Sequence, residues 1–231
     1  MNPTKKNLSW IACAAGSFLV ASLAQAGNVV GTVKYAGAAP APATVKVTKD
    51  QKVCAKDGKI KEDLLVGADK GLQNVVISVQ AVPGAKPPTE KATLDQKGCR
   101  FNPHVTLVGV GAPLEILNND GILHNLHTFS SANPAFNKAQ PRFKKVMKTT
   151  FSKPEIFRIA CDAHNWMAGW IVVTDSPYTT TTGANGKFKL EGVPAGTYTV
   201  KYWHEKLGEK SQEVTVAASG DAGADLEYPA Q

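Results

Sequence analysis

The residues with the most chemical potential stand in CDAHNWM, residues 161–167, where Cys161, His164 and Met167 offer a thiolate, an imidazole and a thioether at three-residue intervals. Those donor types suit a copper ion that shuttles between Cu(I) and Cu(II), held by two imidazoles and a thiolate with a weak axial thioether. The loop lacks one imidazole. NNDGILHNLHTF, residues 118–129, offers two, His124 and His127. On an extended strand, residues three apart point to opposite faces, so one of the two faces the metal and the other does not. The rival arrangement is a four-coordinate zinc held by His124, His127, Cys161 and His164. It requires a bent backbone at Asn125-Leu126 and leaves Met167 without a role.

Two loops can share one ion only if rigid elements hold them, and the sequence supplies strands. Glu155–Ala160 and Trp170–Thr174 flank the 161–167 loop and read as extended. Period-two alternation recurs in Val29, Gly31, Val33 and Tyr35, in Val75, Ile77 and Val79, and in Tyr198, Val200 and Tyr202. Asn185-Gly186 and Pro194-Ala195-Gly196 mark turns between strands. No stretch of helix length carries a sustained apolar face at period 3.6, so the expected fold class is all-β, built as sandwiches.

The chain divides into four regions. Residues 1–26 read as a cleavable export signal: Lys5 and Lys6 precede the uncharged run Leu8–Leu23 and an A-x-A site at Ala24-Gln25-Ala26. The apolar run is short for a bilayer span, and no later segment is long enough to cross, so no membrane span is expected after cleavage. Cys13 lies inside that run, which argues against a lipoprotein. Residues 27–97 form an N-terminal β segment, 98–177 the domain with the metal-ligand residues, and 178–231 a C-terminal β segment. The expected location is the periplasm.

Cleavage leaves Cys54, Cys99 and Cys161 in an oxidising compartment. Cys161 has metal-like neighbours, so Cys54 and Cys99 are expected to form a disulfide. His127 reads as packing or hydrogen-bonding on the side of its strand away from the metal, His104 as the start of a strand, and His204 as a residue beside a turn. The mature chain keeps 24 of the 26 basic residues against all 19 acids, a net charge of +5. It has no dense basic stripe with interleaved aromatics, so nucleic acid is not an expected partner. Lys138, Arg142, Lys144, Lys145, Lys148 and Lys153 fall between the two ligand segments. They read as a solvated loop or as a surface that steers an acidic redox partner.

HNLHTF followed by C-x-x-H-x-x-M resembles the cupredoxins, in particular the amicyanin and plastocyanin-like blue copper proteins, over residues 99–175. The resemblance implies a Greek-key β-sandwich with one type 1 copper. By position it makes His124 the upstream ligand, with Cys161, His164 and Met167 as the others. It makes Asn125 the residue that fastens the two ligand loops by hydrogen bonds. The opening strand of such a domain must come from before residue 98, with Leu72–Val79 as the candidate. Separately, GNVVGTVKY (27–35) and TTGANGKFKLEGVPAGTYTVKYWHE (181–205) resemble the carboxypeptidase regulatory-like, prealbumin-type sandwich. This implies that the flanking segments pair with each other and that the metal domain is inserted between them. The whole resembles exported proteins described as methylamine-utilisation-like.

The implied function is single-electron transport between redox proteins, without enzymatic activity, through an exposed edge of His164. Two alternatives use the same residues. One is copper storage or delivery; the other is a glycan- or protein-binding module with a structural metal. No nucleophile elbow and no second histidine cluster for a multicopper centre are present.

Overall fold

The computed structural model describes Met1 and residues 25–230 except 42, 57 and 59, so most of the expected export signal lies outside the described residues. The chain is all-β. Two strands come first, β1 (Ala26–Tyr35) and β2 (Val76–Val79), separated by a short helix α1 (Gln51–Cys54). The middle of the chain holds β3 (Ala92–Gln96), β4 (Phe101–Asn102), β5 (Val105–Gly109), β6 (Leu114–Asn118), β7 (His124–Thr128), β8 (Asn137–Gln140), β9 (Val146–Thr149), β10 (Glu155–Ala160) and β11 (Ala168–Thr174). After them come β12 (Thr179–Thr181), β13 (Lys187–Pro194), β14 (Gly196–His204), β15 (Gly208–Val216), β16 (Asp221–Gly223) and β17 (Leu226–Tyr228).

These strands make four sheets in two sandwiches. The inner sandwich joins the order β5-β11-β10-β7-β8 to the order β4-β3-β6-β9. Its core is filled from both sheets by Leu94, Leu114, Ile116, Leu126, Phe157, Ile159 and Ile171. The outer sandwich joins β13-β1-β16, with β17 also on β1, to β12-β2-β14-β15. Val29, Val33, Ile77, Leu190, Val200, Tyr202 and Tyr228 fill its core. Strands from before and after the inner sandwich thus pair directly: β1 with β13, and β2 with β12 and β14.

Alternation explains how the two sandwiches meet. On β11, Ile171 and Val173 enter the inner core, while Trp170 and Val172 face the outer sandwich and pack with Val76, Val105 and Trp203. Trp170 and Trp203 meet edge to face at 4.8 Å. A strand buried on both faces carries apolar residues at nearly every position, as β11 does. The outer turn at Asn185-Gly186 requires glycine: Gly186 has φ of 71°, and a Cβ there would lie 2.2 Å from the Val33 carbonyl oxygen.

One strand assignment is corrected. Leu72–Val79 does not open the inner sandwich, since β2 belongs to the outer one. The strand beside β6 is β3, paired in parallel from Ala92 opposite Leu114 to Gln96 opposite Asn118.

Candidate metal centre

Strand register brings the two ligand segments together. β10 runs antiparallel to β7 with Ala160 opposite His127, so the chain leaving β10 at Cys161 passes back alongside Leu126, Asn125 and His124. β10 and β11 pair from Glu155 opposite Val173 to Ala160 opposite Ala168, and residues 161–167 close the hairpin. Inside that loop the Met167 amide donates to the His164 carbonyl at 2.9 Å, and the Cys161 amide donates to the Met167 carbonyl at 3.2 Å. His164 and Met167 are therefore drawn in over the end of the core. Both are buried, as are His124 and Cys161.

Three donor atoms converge there. Cys161 Sγ lies 3.8 Å from His124 Nδ1 and 3.7 Å from His164 Nδ1, and the two nitrogens are 3.1 Å apart. Donors roughly 2.0–2.3 Å from a common ion span separations of this size. A thiolate with two imidazoles is also the donor chemistry that suits copper. Met167 packs in the same core cluster as Cys161.

Each donor is held from behind. Asn125 Oδ1 accepts from the amides of Asp162 at 2.7 Å and Ala163 at 3.1 Å, and from the Cys161 thiol at 3.3 Å. The Asn125 amide points at Cys161 Sγ from 3.5 Å. Asn125 Nδ2 donates to Asn137 at 2.6 Å, which ties the loop to β8 as well. His124 Nε2 meets Asp120 Oδ2 at 2.9 Å, and Asp120 in turn accepts the amides of Gly98 and Cys99. A carboxylate accepts only, so Nε2 carries a proton toward Asp120, and this bond orients the ring with Nδ1 toward Cys161.

Electrostatics follow from these contacts. Burial works against the Cys161 thiolate, but hydrogen bonds from His124 and His164 outweigh it and lower the pKa to about 6. Burial likewise disfavours charge on His124, yet Asp120 and Cys161 raise its pKa to about 9. The thiolate, the form that binds metal, is therefore favoured at neutral pH.

The outer edge of His164 is not exposed, contrary to expectation. Its Nε2 meets the carboxylate of Asp50 at 2.9 Å, and His164 has no solvent exposure. Asp50 sits in a left-handed conformation, φ 48°, immediately before α1. The Cys54–Cys99 disulfide, expected from the cysteine count, fastens that helix to the inner sandwich. Its two sulfurs lie within 4.8 Å of a His164 ring nitrogen. A segment remote in sequence thus covers the ligand loop. No spacing signal announced Asp50; Asp120, four residues before His124, was within reach of sequence reasoning.

The remaining histidines lie apart from the cluster. His127 turns to Asp162 at 3.1 Å and stacks on Phe129 at 4.3 Å, so the four-coordinate zinc arrangement does not form. His104 is bonded to Glu205 of the outer sandwich. His204 is buried, and its Nδ1 accepts the Lys206 amide at 3.2 Å. Among the basic residues, Lys138 lies over the Phe136 ring and Lys148 pairs with Glu115. Arg142, Lys144 and Lys145 occupy the turn after Gln140, which pairs with His124 across β7 and β8. Phe143, at 81% exposure, stands among them.

The fold and site together define an all-β protein of two sandwiches with a buried cysteine–histidine–histidine group at one end of the inner one. Residues 170–228 match the model of the carboxypeptidase regulatory-like domain family. Among solved structures, the chain is similar to a mutant of amicyanin in its Cu(I) form, with 17% identity over 42% of this chain and 98% of that one, at a TM-score of 0.34. It is similar to a purple cupredoxin from Nitrosopumilus maritimus, with 17% identity over 36% of this chain and 99% of that one, at 0.31. It is also similar to a copper-containing nitrite reductase from Thermus scotoductus SA-01, with 23% identity and a TM-score of 0.34; the match covers 42% of this chain but only 25% of the reductase. No curated protein matches the chain. No helix among the described residues is long and apolar enough to cross a membrane.

Proposed function

We propose that the chain is a periplasmic type 1 copper protein that carries single electrons between redox partners, with His124, Cys161, His164 and Met167 as the ligands. The observation that carries this reading is the buried triangle of Cys161 Sγ and the two Nδ1 atoms, with edges of 3.1–3.8 Å. Copper, when bound, supplies a one-electron couple between Cu(I) and Cu(II). The protein's part is positional. Asn125 fixes the sulfur, Asp120 and Asp50 aim the two imidazoles, and the surrounding core excludes water. Ligands held this firmly change place little when charge changes, which suits electron transfer and no bond-making step.

The cover over His164 moves partner contact away from that imidazole edge. The exposed turn carrying Arg142, Phe143, Lys144 and Lys145 offers a basic, partly apolar surface at the strand opposite His124, suited to an acidic redox protein. The same cover favours a second reading, copper storage, because a covered ligand slows exchange of the ion. Electron self-exchange measured by NMR line broadening separates the two: a carrier exchanges electrons rapidly, a store slowly.

The direct test is a visible and electron paramagnetic resonance spectrum of the copper-loaded mature chain. An intense thiolate-to-Cu(II) absorption is expected, lost in Cys161→Ser. A copper-loaded protein without that band contradicts the assignment.

A further inference from the structure

A cavity of about 510 Å³ opens where the ligand loop, the segment around residues 44–63 and the outer sandwich meet. Its lining is mostly polar and carries four cationic residues against three carboxylates. The carboxylates are already engaged. Glu62 faces Arg100 at 3.8 Å and Asp63 faces Lys206 at 3.4 Å. Glu205 is bonded through one oxygen to His104 and through the other to the Trp170 indole N–H. The cations are mostly not engaged. Lys46, Lys61 and Arg158 have no carboxylate partner among the described residues, and all three are exposed. Arg158 rests one face on the Phe129 ring, a contact that leaves the N–H donors along its guanidinium edge without an acceptor.

These three cationic ends belong to two separate units. Lys46 and Lys61 stand on the two arms of the segment that covers His164. A bridge between Thr44 and Ile60, and a bond from the Lys61 amide to the Ala43 carbonyl at 2.8 Å, hold those arms together. Arg158 projects from β10, the strand that delivers Cys161, where it stands opposite Trp170. Donors of one charge gathered in a recess whose acids are occupied favour a ligand rich in anionic oxygens. A cation would meet three like charges, and a neutral solute would leave all three unmatched. The planar fork of arginine takes a carboxylate or phosphate at two points, and an ammonium takes further oxygens as a point charge. The volume lies within the range of small-molecule sites, which favour junctions between domains.

We infer that this cavity binds a small organic polyanion bearing two or more carboxylate or phosphate groups, one held by Arg158 and another by Lys46 and Lys61. Bound there, the anion ties the covering segment to β10. The same segment carries Asp50, which bonds His164, and Cys54, which is joined to Cys99. Occupancy therefore holds the cover closed over the ligand loop. Its consequence, slower exchange of a copper ion, rests on the metal reading above; the anion site itself does not.

The test uses the full mature chain, metal-free and with its disulfide intact, at low ionic strength. Calorimetric titration with propane-1,2,3-tricarboxylate and with propane-1,3-diyl bisphosphate should show saturation by at least one of them, with a dissociation constant of roughly 10 μM to 1 mM. The tighter probe names the head group. Affinity should fall about tenfold between about 20 and about 200 mM NaCl, because the charges involved are exposed. Arg158→Gln and Lys61→Gln should each weaken binding about fivefold or more while near-ultraviolet circular dichroism stays native. Lys189→Gln, outside the cavity, should leave it unchanged. The bound anion should also slow hydrogen exchange of the Cys54 and Lys61 amides, which bond to Asp50 and Ala43 within the cover. Failure of both probes to saturate by about 10 mM would overturn the inference. So would an equal loss in Lys189→Gln, or binding that leaves those two amides exchanging as before. Absence of the copper spectrum in a chain that still binds the anion would fault the metal assignment alone.

Discussion

The two sandwiches share an architecture and differ in what they bury. The outer core is a block of Val, Leu, Ile and Tyr, with the Tyr202 and Tyr228 hydroxyls pinned to backbone carbonyls. The inner sandwich buries Gln96, Asn118, His124, Asn125, Gln140 and His164 beside its apolar core. Those polar groups bond to one another and to backbone: Gln96 to Gln140 at 2.6 Å, and Asn118 to the Gln140 carbonyl at 2.9 Å. Gln140 is the hub of this group, since its side chain also donates to the Ile116 carbonyl at 3.0 Å, and such bonds hold the strands around it in one arrangement. Histidine makes the contrast sharp. His124 and His204 are equally buried, yet His124 has its pKa raised to about 9 and His204 has its pKa lowered to about 4. Burial penalises charge in both; only His124 has a directly bonded carboxylate and thiol to reverse it.

The largest effect should come from cutting each core. Tyr202→Ala in the outer sandwich and Ile159→Ala in the inner one should each cost about 2–5 kcal/mol in urea unfolding. The folded Tyr202→Ala protein should keep the copper spectrum, while Ile159→Ala, on the strand that delivers Cys161, should broaden or shift it. Equal spectra in both would dissolve the distinction.

A second effect is pH-dependent. The unfolded chain takes a proton on His204 near pH 6.5, whereas the folded chain resists it until about pH 4, because burial, with His104 and Lys206 nearby, outweighs the pull of the Glu205 and Asp63 carboxylates. Stability from this residue is therefore full above pH 6.5 and is lost as pH falls toward 4, by about 2–4 kcal/mol. Replacing His204 by Phe should flatten that part of the stability curve. An unchanged slope between pH 6.5 and 4 would assign it to another group.

The smallest effect concerns the cover. Asp50 is partly exposed, and its loss should change stability by under about 1 kcal/mol. Asp50→Ala should nonetheless speed removal of Cu(I) by a chelator about tenfold, because the outer nitrogen of His164 becomes accessible. Chelator kinetics identical to the parent would mean that Asp50 does not guard the ion.

Local spacing made the CDAHNWM loop legible, because residues three apart in one short turn need no knowledge of the rest of the fold. Period two separated His124 from His127, and the structure indeed turns the second ring to Asp162 and Phe129. Long-range features were not legible. Asp50 reaches His164 across 114 positions from a stretch with no periodic pattern. The strand Ala92–Gln96 buries only Leu94 and Gln96, so its alternation is faint, and its parallel pairing with β6 is what makes it a strand. Leu72–Val79 has the stronger apolar signal, yet its strand β2 pairs with β12 and β14 in the outer sandwich. The Glu205–His104 contact joins two sandwiches, and no single segment encodes it.

X-ray absorption at the copper edge of the loaded, mature chain tests the central claim most directly. The account predicts one sulfur and two imidazole nitrogens as close neighbours of a single ion, with the sulfur absent in Cys161→Ser. A copper shell of nitrogen and oxygen alone would contradict it.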